Sequence, residues 1–166
     1  MSAAPILQSS CARAVTRAET RYRIDAPVTG RQGARIVALD DGAATLVRRL
    51  AHESWSGARF YTLPAHGPAG PGMHLHRTSG TSVPLADELA DADLVVMVAT
   101  RDGASADAIA TLGRGAAERG LMTAGVVLGQ QDRMAGTVRA LRPHAQVLLV
   151  SREESDVADL LTAIRA

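Results

Sequence analysis

Apolar and polar positions come in alternating blocks along this chain, and from position 34 onward the blocks repeat a strand–helix rhythm. Ala34-Arg-Ile-Val-Ala-Leu-Asp40 reads as a strand and Asp41-Gly42 as a turn. Ala43–Glu53 then forms an amphipathic helix with Leu46, Val47 and Leu50 on one face and Arg48 and Arg49 on the other. Ala58–Leu63 is a second strand. Asp93–Thr100 carries an unbroken apolar run from Leu94 to Ala99, the pattern of a strand buried on both faces. It passes through Arg101–Asp107 into an Ala-rich helix over Ala104–Arg119, with Ser105 and Asp107 positioned to cap it. Leu121–Leu128 and Ala145–Val150 are further strands; Pro84–Asp91, Gln131–Arg142 and Asp156–Arg165 are further helices.

Strands alternating with helices of this length predict right-handed crossovers and a doubly wound sheet. The expected fold is therefore α/β: a three-layer Rossmann-like sandwich on a mostly parallel sheet of five to six strands, over residues 33–166. Residues 1–32 read as a partly ordered arm with a short strand at Arg21–Ile24, closed by Pro27 and Gly30. Pro64–Ser82 holds four Gly, three Pro and three His without apolar periodicity, so a long surface loop is expected there.

Composition narrows the chemistry. All 18 basic residues are arginine, and the chain has neither Lys nor Asn. That excludes a phosphate-loop lysine, a Schiff-base lysine and any Asn-based oxyanion donor or metal ligand. A net charge of +1 with mixed signs, together with only four aromatic residues, gives neither a nucleic-acid field nor a stacking platform. Cys11 is the single cysteine and fits a reducing compartment. The start, Met1-Ser-Ala-Ala-Pro-Ile-Leu7, has no basic n-region and no long apolar run, so a cytoplasmic protein without membrane contact is expected.

In parallel sheets of this kind ligands bind outside the carboxyl ends of the strands. Those ends carry Asp40, Asp41 and Gly42, then Arg101, Gly103 and Ser105, then Gly129, and finally Ser151. These are the candidate ligand-binding residues for a small anionic molecule, a nucleotide or another phosphate-bearing compound. Arg101 is placed to offset Asp40 or Asp41, or to grip a carboxylate or phosphate. Asp40-Asp41 is a candidate acid/base pair, and equally a turn with helix-capping carboxylates. His66, His74 and His76, with Met73, are the only soft-ligand cluster. His74 and His76 share one side of an extended segment, and copper or zinc is the metal class they would take. The catalytic patterns Gly-x-Ser-x-Gly, His-Glu-x-x-His and Cys-x-x-Cys do not occur.

The order of pieces resembles the nucleotide-binding domain of the bacterial tubulin homologue FtsZ. Arg35–Leu50 lies without gaps on that family's first strand, glycine loop and helix. Asp93–Thr100 and Ala116–Val127 resemble the segment carrying its GGGTGTG signature, and Thr137–Val150 its following helix and strand. The resemblance implies the nucleotide-binding fold. It does not extend to GTP hydrolysis or filaments: Asp40-Asp-Gly-Ala-Ala44 stands where the family has a glycine run, Arg101-Asp-Gly-Ala-Ser-Ala-Asp107 replaces GGGTGTG, and the second domain that completes hydrolysis is not expected here. Over a shorter span, Ala99–Asp107 is similar to the Ser-rich turn of sugar-isomerase (SIS) domains, with Thr100 and Ser105 supplying hydroxyls and Asp102 where a Ser is expected. Three functions remain open. One is a self-associating cytoplasmic binding or regulatory module. Another is a sugar-phosphate isomerase-like or small group-transfer enzyme working from Asp40, Asp41, Arg101 and Ser105. The third is a metal-responsive protein using the His66–His76 loop.

Overall fold

A computed structural model of the chain describes residues 33–64, 69–164 and 166. The N-terminal arm, its short strand, Cys11 and His66 lie outside the described residues. Among the described residues thirteen elements follow one another. They are β1 (Ala34–Ala38), α1 (Asp41–Leu50), β2 (Arg59–Thr62), β3 (His74–Arg77), β4 (Ser82–Pro84), α2 (Leu85–Ala90), β5 (Leu94–Ala99), α3 (Ala106–Ala117), β6 (Met122–Leu128), a 3-10 turn (Gln131–Met134), α4 (Ala135–Leu141), β7 (Val147–Ser151) and α5 (Ser155–Ala163).

The seven strands form one sheet in the order β4-β3-β2-β1-β5-β6-β7. β2, β1, β5, β6 and β7 run parallel, with Ile36 opposite Phe60 on one side and Val96 on the other. β3 and β4 form an antiparallel hairpin on the β2 border. The fold is the expected three-layer α/β sandwich, with a larger sheet than the apolar runs alone indicate. Alternate residues feed two cores. Val37, Tyr61, Leu75, Val95, Met97 and Val127 pack under α2, α3 and α4. Ile36, Phe60, Val96, Val98 and Val126 pack under α1 and α5.

Three expectations are corrected. The 64–82 stretch is not a featureless loop: Met73 and Leu75 are buried and β3 and β4 occupy its second half. A border strand with one inward-facing residue between histidines is too short to leave a periodic signal. The expected helix over Gln131–Arg142 begins as a 3-10 turn and becomes α-helical only from Ala135, where the Asp102 carboxylate accepts the Thr137 N–H at 2.8 Å. The last strand starts at Val147, later than expected, because His144 and Ala145 still close backbone turns onto the Leu141 carbonyl at 2.9 Å.

The hairpin and α2 are pinned by a charged cluster that sequence reading missed. Glu88 is only 4% exposed, and its carboxylate accepts from the Tyr61 hydroxyl, from Arg77 and, at 3.2 Å, from Arg59. Arg35, fully buried on β1, donates to the Glu88 carbonyl at 3.0 Å and to the Asp91 carbonyl at 2.9 Å. It thereby satisfies the carbonyls that a six-residue helix leaves open at its end. Burial alone would raise the Glu88 carboxyl, but the Tyr61, Arg77 and Arg59 donors outweigh it and hold it below its ordinary range.

Candidate functional site

With five strands parallel, their carboxyl ends form one rim, and the direction of chain winding reverses between β1 and β5. That reversal is where doubly wound sheets open a crevice. Asp40 follows β1 there, in extended backbone, and its Oδ1 accepts the Ala43 N–H at 2.9 Å as the N-cap of α1. The same carboxylate reaches across to the end of β5. It accepts the Thr100 N–H at 2.7 Å, the Thr100 hydroxyl at 2.6 Å and the Arg101 N–H at 3.0 Å. Burial would raise this carboxyl; the Thr100 hydroxyl and the three backbone N–H groups hold it below its usual range instead. An ionised carboxylate with all four of its lone-pair positions engaged is a poor general base.

Gly42 permits this contact. A Cβ there would stand 2.1 Å from the Thr100 hydroxyl oxygen. Asp41, in the first turn of α1, is 91% exposed and lies 3.9 Å from Arg101, itself 67% exposed, so the pair is loose and solvated. Arg101 thus meets Asp40 through its backbone and Asp41 through its side chain. Gly103 takes the left-handed conformation, φ 77°, that the turn after β5 needs. Ser105 caps α3, its Oγ accepting the Ala108 N–H at 3.3 Å. Asp102 turns away from the crevice. Its bonds to the Thr137 N–H and others at the start of α4 outweigh burial and hold its carboxyl low.

Beside Asp40 lies a cavity of about 290 Å³ over the carboxyl ends of β1 and β2. Asp40, Asp41 and Ser105 line it, joined by Arg48, Thr62 and Met73, which sequence reasoning did not assign to the site. Asp41, Ala44 and Arg48 follow one another at i, i+3, i+7 on α1, so helical spacing alone was a usable signal for Arg48. Apolar walls come from Ala44, Leu63 and Met73, and Met73 is an interior residue rather than a solvated metal ligand.

Gly129 and Ser151 are not part of this cavity. The Gly129 N–H donates to the Ser151 carbonyl at 2.7 Å, and both line a separate hollow at the ends of β6 and β7. There the Ser151 hydroxyl bonds Asp156 and accepts the Glu153 N–H at 3.1 Å. His74 and His76 stand on one face of β3, opposite the buried Leu75, with the His74 ring 2.9 Å from the Gly72 carbonyl. Among the described residues no group of three or more His, Cys, Asp or Glu is placed to hold a metal ion. No helix among them is long and apolar enough to cross a membrane. No protein-family model matches the chain, and no curated protein matches it.

Proposed function

We propose that the chain is a small binding or regulatory module on a degenerate FtsZ-like nucleotide-binding fold, without GTPase activity. The observation that carries this is the cavity beside Asp40, open at the carboxyl rim where such sheets take their ligands. Asp40 and Asp41 line it together with a single arginine, so the cavity suits a small molecule with an apolar body whose anionic group, if it has one, sits at Arg48. Thr62 and Ser105 offer hydroxyls, and Ala44, Leu63 and Met73 cover the rest. The absence of turnover is supported by Asp40. The carboxylate that a hydrolytic mechanism would recruit is already bonded on every side, next to the position where nucleotide phosphates lie in the family it resembles.

Calorimetry with GTP, ATP, NAD, sugar phosphates and apolar carboxylic acids tests this reading, followed by the best ligand against Arg48→Ala. The expected result is saturable binding without product formation, weakened about tenfold in the variant. Turnover of any of these compounds overturns the non-enzymatic part. Binding that leaves the NMR signals of Ala44 and Met73 unmoved overturns the assignment of the cavity.

A further inference from the structure

We propose that the outer edge of β7 is a docking surface for a second copy of this chain, joined to it strand to strand and antiparallel across a two-fold axis. The surface lies three strands away from β1 and its cavity, and stands or falls independently of what binds there.

Among the described residues β6 is the only strand beside β7. The five residues Val147-Leu-Leu-Val-Ser151 therefore present one row of backbone N–H and C=O groups with no strand to receive them. Natural sheets protect such a row with proline, an inward charge, a bulge or a very short strand. β7 has none of these, and its register against β6 runs unbroken from Val147 to Ser151.

Exposed apolar surface gathers at the same edge. Met122, 57% exposed, and Val147, 49% exposed, are the exposed large hydrophobic residues among those described. β7 begins opposite Ala124, two residues after Met122, so both side chains share one face of the sheet, beside Leu160 of α5. Leu148, Leu149 and Val150 are only half-buried, whereas β6 is covered from Thr123 to its end. A further strand would complete their cover.

Charge identifies the occupant and its direction. The turn before β7 carries Arg142 and His144; the turn after it carries Glu153, Glu154 and Asp156 with one arginine, Arg152. Glu154 pairs with Arg49, and Asp156 bonds the Ser151 hydroxyl. Arg142 and Glu153 are exposed, and neither side chain has a partner among the described residues. A parallel pair of β7 strands would set basic turn on basic turn and acidic on acidic. An antiparallel pair sets each basic turn against the partner's acidic one, so the edge is complementary to itself. In the register that pairs all five residues, Leu149 faces its own copy and Leu148 faces the partner's Val150.

Sedimentation velocity of the full chain from about 1 to 200 µM tests this. The expected result is a reversible monomer–dimer equilibrium. Val147→Lys places a charge in the apolar edge, and Glu153→Arg sets an arginine against the partner's Arg142. Each should weaken the dimer about tenfold. Adding Arg142→Glu to Glu153→Arg restores opposite charges and should return the dissociation constant to within about threefold of wild type. A chain that stays monomeric at the highest concentration overturns the proposal. So does a dimer indifferent to these substitutions, or a loss that the double reversal fails to restore. Hydrogen exchange of the wild type needs no variant: amides of 147–151 that β6 does not bond should exchange at least about tenfold more slowly in the dimer. Equal exchange in monomer and dimer places the contact elsewhere and overturns the proposal as well.

Discussion

Arg35 and Glu88, fifty-three positions apart, meet twice: the Arg35 Nε donates to the Glu88 carbonyl at 3.0 Å and lies 3.7 Å from its carboxylate. One residue belongs to the second position of β1 and the other to the middle of α2, so the pair ties the central sheet to the helix that follows the hairpin. Tyr61 and the half-exposed Arg59 and Arg77 complete the cluster from β2 and β3.

Removing the shared acceptor should therefore be costly. Glu88→Ala leaves the buried Arg35 facing a void and the Tyr61 hydroxyl without its partner, and is expected to destabilise the fold by about 3–5 kcal/mol. Arg59→Ala takes away only one half-exposed donor and should cost no more than about 1 kcal/mol. Urea midpoints with matched slopes measure both, and equal losses in the two variants would contradict a role for Glu88 as the common anchor.

Acid sensitivity should draw on three depressed carboxyls, and Asp40 and Glu88 carry the test beside the exposed Asp102. Asp40 and Glu88 are both held below their ordinary values of 3.8 and 4.5 in the folded chain. A carboxyl depressed on folding contributes stability that is fully present above its unfolded value. That contribution drains away as pH falls through the lower folded one. Thermal midpoints recorded from neutral pH down to about pH 2 should fall along that limb. Asp40→Asn and Glu88→Gln should each start lower and descend less steeply; an unchanged slope in both variants would assign acid unfolding to other groups.

Gly42 and Thr100 should be energetically coupled. Gly42→Ala places a methyl group 2.1 Å from the Thr100 hydroxyl oxygen and should cost about 1–3 kcal/mol. In a Thr100→Ala background the clash with the hydroxyl oxygen is gone and only the 3.2 Å approach to the Cβ at position 100 remains, so the same substitution should cost at least about 1 kcal/mol less. A double-mutant cycle in denaturant reads the difference, and strict additivity would mean that the close approach does not matter.

The loop after β5 should influence stability without touching the cavity. Asp102 holds the start of α4 through Thr137 and does not line the space beside Asp40. Asp102→Ala is expected to lower the thermal midpoint while a ligand bound at Arg48 keeps its affinity. A matched loss of affinity would show that the two ends of this loop act as one unit.

What could be read from the chain alone follows from how many faces of each element are buried. Leu94–Ala99 is covered on both sides, so its apolar run is uninterrupted and unmistakable. β1 could be recognised even though Arg35 interrupts it, because its neighbours are all apolar. β3 turns only Leu75 inward between two histidines and sits among Gly and Pro, so it leaves no pattern. The same contrast holds at the site. Asp40 is marked by its place after a strand, but its tie to Thr100 spans sixty positions and has no local trace. Glu88, within Leu85-Ala-Asp-Glu-Leu89, has the look of a solvated helical residue, because its partners are scattered over three strands.

The two borders of the sheet differ in what they can accept. One ends in Ser82-Val83-Pro84, three residues long and closed by a residue with no N–H to offer. The other ends in the five-residue Val147–Ser151, free of proline and charge, with Val147 half in solvent. A polymer that grows by adding strand to strand needs an adhesive border on each side of every subunit. With one border blunted, joining of copies strand to strand is disfavoured on that side.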